Sequence, residues 1–523
     1  LPTPVNFTNS NGATFIFLGW HKANGSVVTA VQATDNDFTA HWRANVTSGS
    51  GLKAAESIYV REIYIMNDIV LDQAPVTTNV QLAGGTGQST DNVVFQALAP
   101  IKIFGNNHSI SAYVTGTNAA GICNTRPSDY VMFYTGSNGS LEISDLTMYG
   151  GAKQAVAIYN STATMTNCIV SRSGSNTLCG GAIVVSTSGK LKAKNCNFKR
   201  NVAQYAGAIL IKASSTALLE NCVVNENRNV AVGQACGGGA MEIQSGCKLY
   251  FVNSTLSNNQ STEIGGGVNG NNGANMYIIN STVTGNVSSG AADNFRHGGG
   301  LGGNNVHIHV YNSIVENNYF YNTEKKVATP CDIAFYKSGD APDAHNSIIG
   351  SVYNSDSRDV TSTYVGGATT NKVGNLANDF YRYDEINLLA ADGTVWATLP
   401  NAKSPIITDD KIYLFAGTST ALSGGEYVYF NGDDINNIRF GHGIEGAAIT
   451  TVVGSPTIAD KITLFKNGVA RDQSQIVMGA LYSIPPNERY AKITGHVAGE
   501  GSVDGYSIFH NYYLVGKDAT FVA

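Results

Sequence analysis

The chain has 523 residues, 58 of them glycine, with 13% charged side chains and a net charge of −6. This length allows two or three domains, the lack of any basic tract argues against a nucleic-acid partner, and 43% hydrophobic residues argue against disorder. The chain opens at Leu1 with no signal peptide and no transmembrane segment, so it reads as a mature chain whose signal has been removed, and secretion or surface display is expected.

Residues 1–55 are rich in Asn, Thr and Ser with a few aromatics (Phe15, Phe17, Trp20, Trp42), and read as an N-terminal cap. A solenoid end needs such a cover against edge pairing. The segments 57–73, 101–112 and 140–151 read as opening coils. From Asn167 on, one phrase recurs. "KNCNFKRN", "ENCVVNEN", "VNSTLSNN", "INSTVTGN" and "YNSIVENN" align on Asn195, Asn221, Asn253, Asn280 and Asn312, with gaps of 26, 32, 27 and 32 residues. Asn167 and Asn346 extend the series at either end. An apolar residue stands three places after each of the five central asparagines (Phe198, Val224, Leu256, Val283, Val315). A second Asn follows (Asn201, Asn227, Asn259, Asn286, Asn318); at the Asn167 copy Ser173 takes its place.

A glycine phrase keeps the same period: "GGAI" (180–183), "AGAI" (206–209), "GGAM" (238–241), "GGGV" (265–268) and "GGGL" (298–301). A fixed period of this size marks a solenoid, and short Val- and Ile-rich runs favour strands over helices. The expected fold is therefore all-β: a parallel β-helix over 56–375 with about three short strands per coil. At about 4.8 Å per strand, roughly eleven coils would make a rod about 50 Å long. Asn tolerates left-handed backbone angles at a sharp turn, and stacked amides can bond along the axis. The glycine pairs would mark bends too tight for a Cβ.

These phrases resemble the right-handed parallel β-helix class with a pectate-lyase-like fold. "GGAI" and "FKRN" are similar to the GGA-I and F-x-x-N repeats of chlamydial polymorphic outer-membrane adhesins. The likeness covers roughly 165–350, and Phe198–Asn201 alone matches the second phrase in full. It implies a surface protein, because such repeats specify a fold far better than a function. "IKIFGNNHSISA" also resembles an entry phrase of secreted bacterial β-helices. Residues 376–486 form an expected β-rich closing region, where "SPIITDDK" (404–411), "DINNIRF" (434–440) and "IVMGALYS" (476–483) resemble the closing phrases of such proteins. Met478 and Leu481 depart from that pattern, so it implies no function. Residues 487–523 resemble one unit of a bacterial cell-surface β-sandwich repeat.

Cys168, Cys196 and Cys222 share one repeat position, continued by Ser254, Ser281, Ser313 and Ser347. They should stack one coil apart as a buried reduced ladder, the alternative being one disulfide between neighbours. Cys179 and Cys236 precede glycine pairs two coils apart, too far to bridge. The sequons at Asn253 and Asn280 follow from the ladder phrase itself.

Catalytic chemistry has weaker signals. A glycoside hydrolase needs two carboxylates flanking a groove. Candidates near the coils are Glu242, Glu263 and Asp293, with Glu226, Glu316, Asp332, Asp340 and Asp343 behind them; isolated acids on a solenoid are more often solvated surface. A polysaccharide lyase needs a basic residue and something to neutralise a uronate, often Ca²⁺, for which no motif is present. Lys192, Lys194, Lys199, Arg200 and Lys212 fall on neighbouring coils. His307 and His309 are alternate residues of one strand, with His297 as a third possible metal ligand. No cofactor motif is present. Three readings stand: an adhesive or structural β-helix contacting glycans or its own copies, a carbohydrate-active enzyme, and a self-assembling filament or layer subunit.

Overall fold

The computed structural model describes residues 1–361 except 32–36, 73–74, 83–88, 113–114, 118–122, 126–129, 151–152, 176–179, 231–236, 263, 292–297, 337–340 and 355–358. Beyond 361 it describes strand segments between Lys372 and Leu514. Among the described residues no helix is long and apolar enough to cross a membrane.

The chain winds as a parallel β-helix. Each coil lays one strand on each of three stacks. In the coil around Ile209 these are Ile209–Ile211, Thr216–Glu220 and Val223–Asn225. Each pairs in parallel with its counterparts one coil before and one coil after. The third stack holds eleven strands, from Ile69–Val70 to Lys372–Val373. Ten steps of about 4.8 Å give a rod of about 48 Å. A fourth, short stack adds two-residue strands such as Val202–Ala203 and Arg228–Asn229, which the sequence pattern did not announce.

Period-two alternation on the second stack sets the core. Leu191 and Ala193, Ala217 and Leu219, Leu249 and Phe251, and Met276 and Ile278 all point inward and are fully buried. The apolar residue of the repeat closes the third wall: Val170, Phe198, Val224, Leu256, Val283 and Val315 stack in register with no exposed surface. Each such side chain contributes about 1.5–3 kcal/mol relative to exposure. The second glycine of each pair forms a row of its own. A Cβ on Gly181, Gly207, Gly239 or Gly266 would meet the carbonyl oxygen of the next glycine in the row, so no side chain fits.

At the N-terminal end, strands Ala13–Lys22 and Phe38–Val46 form an antiparallel hairpin. The second of these pairs in parallel with Val60–Ile65, which starts the second stack. A short helix, Gly49–Ala54, is capped by the Ser48 hydroxyl, which accepts from the Gly51 N–H at 3.0 Å. Phe15, Ala44, Val46 and Leu52 join the apolar cluster that fills the rod. Near the other end, Tyr319–Asn322 turns back on Val327–Pro330 as an antiparallel hairpin. Beyond 376 the described strands pair as antiparallel hairpins, among them Glu385–Leu389 with Val395–Pro400 in the closing region and Tyr490–His496 with Ile508–Leu514 in the last segment. The phrase 476–483 lies outside the described residues.

The two asparagines of the repeat build two different ladders. The opening residues Asn167, Asn195, Asn221, Asn253, Asn280, Asn312 and Asn346 all take left-handed angles, with φ between 44° and 54°. Their amides donate towards the N-terminus: Asn221 to Asn195 (2.6 Å), Asn195 to Asn167 (3.1 Å) and Asn167 to the Asp145 carboxylate (2.9 Å). Asn312 donates to Asn280 at 2.5 Å. The expected continuous ladder is interrupted, because the buried Asn253 amide makes no hydrogen bond. The closing ladder is unbroken and runs the other way. The main-chain N–H and the amide of Asn201 both donate to the Asn227 oxygen, and the pattern repeats through Asn259, Asn286 and Asn318 at 2.8–3.1 Å. Asn318 donates both bonds to Asp332 (2.8 Å each).

Cys168, Cys196 and Cys222 are buried free thiols. Ser254, Ser281, Ser313 and Ser347 continue their row, each hydroxyl accepting the main-chain N–H of the preceding coil at 2.9–3.1 Å. Burial pushes the Cys196 thiol well up, which leaves it unreactive. Cys179 and Cys236 lie outside the described residues.

Candidate binding face

The outer face of the second stack carries the densest chemistry. Alternation sends Leu249, Phe251, Met276, Ile278, Ile308 and Val310 into the core and leaves the residues between them pointing out. Parallel register then aligns these in rows. One runs Leu218, Tyr250, Tyr277, His309, Asp343; a second runs Val252, Ile279, Tyr311, His345; a third runs Lys248, Asn275, His307.

In the first row the rings stack. Tyr250 and Tyr277 have centroids 4.8 Å apart and planes 6° apart; Tyr277 and His309 are at 4.5 Å and 11°. This is the strand spacing, so the rings fill each other's faces. The row presents ring edges and polar atoms rather than a bare aromatic platform. Tyr250 and Tyr311 keep only 5% of their surface, whereas the side chains of His309, Asp343 and His345 keep 23%, 48% and 38%.

Asp343 gathers the polar end. One carboxylate oxygen accepts from the Tyr311 hydroxyl and lies 3.2 Å from His309 Nδ1; the other lies 3.0 Å from His345 Nε2. An ionised carboxylate only accepts, so both of these ring nitrogens carry the proton. The His309 hydrogen bond, with help from Tyr311 and the two imidazoles, holds the Asp343 carboxyl well below the usual range, against a smaller burial effect. Tyr311 is pushed far up, by burial first and then by the carboxylate it bonds. Burial raises Tyr250 to about 12. The cluster is thus an anionic centre held by three donors, with imidazole edges open to solvent. Among the described residues no second carboxylate joins it.

Glu242 lies elsewhere, on the first stack between Leu210 and Asn269. From its position it reads as an acid on the coils, where most acids are solvated; the structure buries it completely. Its carboxylate accepts from the side-chain amides of Asn269 (2.6 Å) and Asn271 (2.7 Å) and from the Gly237 N–H (3.1 Å). Burial outweighs these donors and raises it to about 7. Glu263 and Asp293 lie outside the described residues, as does His297. His307 and His309 share the outer face, but no three His, Cys, Asp or Glu residues are grouped to hold a metal among the described residues. The lysine patch divides. Lys192 and Lys194 belong to the second stack and Lys199 to the third, and Lys194 and Arg200 pair with Glu220 (3.3 Å) and Glu226 (2.7 Å).

Sequence reasoning named His307, His309 and Asp343 but missed Tyr250, Tyr277, Tyr311 and His345. The available signal was the repeat register: each stands at a fixed offset before its opening asparagine, on the outward phase of its strand.

Residues 181–375 match the family model described as a right handed beta helix region. The fold is thus a right-handed parallel β-helix, and the matched stretch holds the candidate face and the closing asparagine ladder. No curated protein and no solved structure matches the chain significantly.

Proposed function

We propose that this protein is a secreted or cell-surface rod that binds glycans through the outer face of its second stack. The observation that carries this reading is the cluster of His309, Tyr311, Asp343 and His345 beside the Lys248–Asn275–His307 row. It sets hydrogen-bond donors and acceptors at strand spacing along a straight face, a pattern suited to successive hydroxyls of an extended sugar chain. The ring edges of Tyr277 and His309 add apolar contact. Binding rather than hydrolysis is favoured because, among the described residues, Asp343 has no second carboxylate beside it and Glu242 sits on another stack, tied up by amides. An adhesive or structural role follows from a long, rigid, repetitive surface, and contact with copies of the same rod would use the same geometry.

A second reading, a carbohydrate-active enzyme, draws on the His309–Asp343 pair, which has the form of an oriented general base. One experiment separates the two. The purified protein is incubated with host, plant and microbial glycans, with and without Ca²⁺. Binding is followed by calorimetry and products by mass spectrometry. The expected result is saturable binding without product, weakened about tenfold or more by Asp343→Asn. A cleaved product, lost in His309→Gln, would replace the binding reading with the enzymatic one.

A further inference from the structure

The same outer face begins, at the N-terminal end of the rod, with a cationic group that the glycan reading does not use. Arg43 and His41 point to one side of strand Phe38–Val46, and Arg61 occupies an irregularity in the adjoining strand, where the register shifts between Trp42 and Arg43. Arg61 Nε donates to His41 Nε2 at 3.2 Å. His21, from the other arm of the hairpin, stacks on His41 with centroids 3.8 Å apart and planes 24° apart. Its Nδ1 is fixed by the Gly25 carbonyl at 3.0 Å, which makes that nitrogen the donor. The Arg43 guanidinium lies over the Tyr64 ring, 4.7 Å from its centroid.

Among the described residues no carboxylate compensates the charge of this group. Further along the second stack, bases face acids: Lys102 pairs with Glu142 and Lys194 with Glu220, both at 3.3 Å. Arg43 has Glu62 as its register partner, yet neither arginine forms an ion pair with Glu62 or with any other carboxylate among the described residues. Arg43 Nε and Arg61 Nη1 are also shielded from solvent with no hydrogen-bond acceptor. A guanidinium cannot shed its charge, and a buried donor without a partner is destabilising. Both arginines are part exposed, so the remaining N–H groups of two guanidinium groups without a carboxylate, on adjacent strands of one face, are open to an acceptor from outside the chain. His41 fits the same picture. Burial, then His21 and Arg61, lower it to about 4, so it is neutral at pH 7 and serves as the acceptor that orients Arg61.

We propose that Arg43, Arg61 and the His21–His41 pair form a binding site for an oxyanion group, such as the sulfate, phosphate or carboxylate of an acidic ligand. Arginine forks match these groups in shape as well as charge. The site stands at the opposite end of the face from Asp343, so it does not depend on the glycan reading.

The test uses the full chain near neutral pH and constant ionic strength, titrated with methyl sulfate, methyl phosphate and galacturonate. The histidine side-chain resonances report the site and calorimetry reports affinity. The expected result is a saturable shift of the His21 and His41 signals with at least one probe; the tightest probe identifies the source of the oxyanion. Arg61→Gln should weaken it about tenfold or more and Arg43→Gln several-fold. Arg61→Lys, which keeps charge but not the fork, should fall between wild type and Arg61→Gln and serves if the glutamine variant misfolds. Val327→Ala, at an exposed position of the hairpin near the other end of the rod, should bind as wild type. Absence of a saturable shift with all three probes, or affinity unchanged in both arginine variants, would overturn the proposal.

Discussion

The two asparagine rows use one residue type at one period, and they behave differently. The closing row is buried, and each amide between Asn227 and Asn318 is fully used. Its N–H groups reach a main-chain carbonyl of the preceding coil and the oxygen of the following residue, and its own oxygen accepts two bonds. The opening row is a single file of amide bonds, part exposed at Asn195 and interrupted at Asn253. Its conserved feature along the rod is a left-handed backbone angle, not a bond. Position in the coil decides which property of asparagine is used: inside the turn its hydrogen-bonding capacity, at the rim its tolerance of positive φ. Both rows end on an aspartate, Asp145 at the N-terminal end of one and Asp332 at the C-terminal end of the other. A carboxylate accepts without donating, so it closes a file of donors at the end towards which they point.

The largest effect that would test this contrast is Asn259→Ala, which strips a central rung of the buried row. It leaves the Asn227 main-chain N–H and one Asn227 amide N–H unpaired and takes away one of the two donors to the Asn286 oxygen, so denaturant unfolding should show a loss of about 3 kcal/mol or more. Asn253→Gly, in the other row, removes an amide that bonds nothing and keeps the left-handed angle, so the same measurement should change by less than about 0.5 kcal/mol. A comparable loss in both variants would erase the distinction between the rows.

The next effect is on pH dependence. Burial raises Asp332 to about 7, from an ordinary value of 3.8. The folded chain therefore holds a proton that the unfolded chain releases near pH 4. Stability is greatest at or below the unfolded value and declines as pH rises towards about 7, by up to about 1.4 kcal/mol per pH unit. Glu242, raised from 4.5 to about 7, acts in the same direction. Melting temperature should thus fall between about pH 4 and pH 7 and level off above. Asp332→Asn should flatten that fall while preserving the ladder, because the new amide can donate to a reoriented Ser351 hydroxyl. A slope unaltered in Asp332→Asn would remove this carboxyl from the account. A modest effect belongs to Asn221→Gly, which loses one amide bond at the rim and should cost about 0.5–1 kcal/mol in the same unfolding measurement, between the two ladder variants above.

Much of this was legible in the repeats. The glycine row, the stacked Phe198 series and the Cys-to-Ser series each follow from one residue returning to one place. Residues outside the phrases were harder. Arg172, Arg200, Glu226, Asn258, Gly285 and Asn317, each just before the closing position, all take left-handed angles although no residue type unites them. Asp332 enters the buried ladder after the Tyr319–Pro330 hairpin, only 14 residues beyond Asn318, where the period gives no warning. Glu242 reads as one of many coil acids until Asn269 and Asn271, one coil later, are seen to enclose it.

By itself the sequence determined the winding of this protein: strands too short for helices, glycine where chains touch, and asparagine at each turn, because the fold demands these at every coil. Tertiary structure alone decided what the outer face carries. An outward residue is free of the core's constraints, so its meaning depends on its neighbours one coil away. Tyr250, Tyr277, His309 and Asp343 come from four coils, and Arg43, Arg61, His21 and His41 from three strands. Only parallel stacking at strand spacing brings either group together.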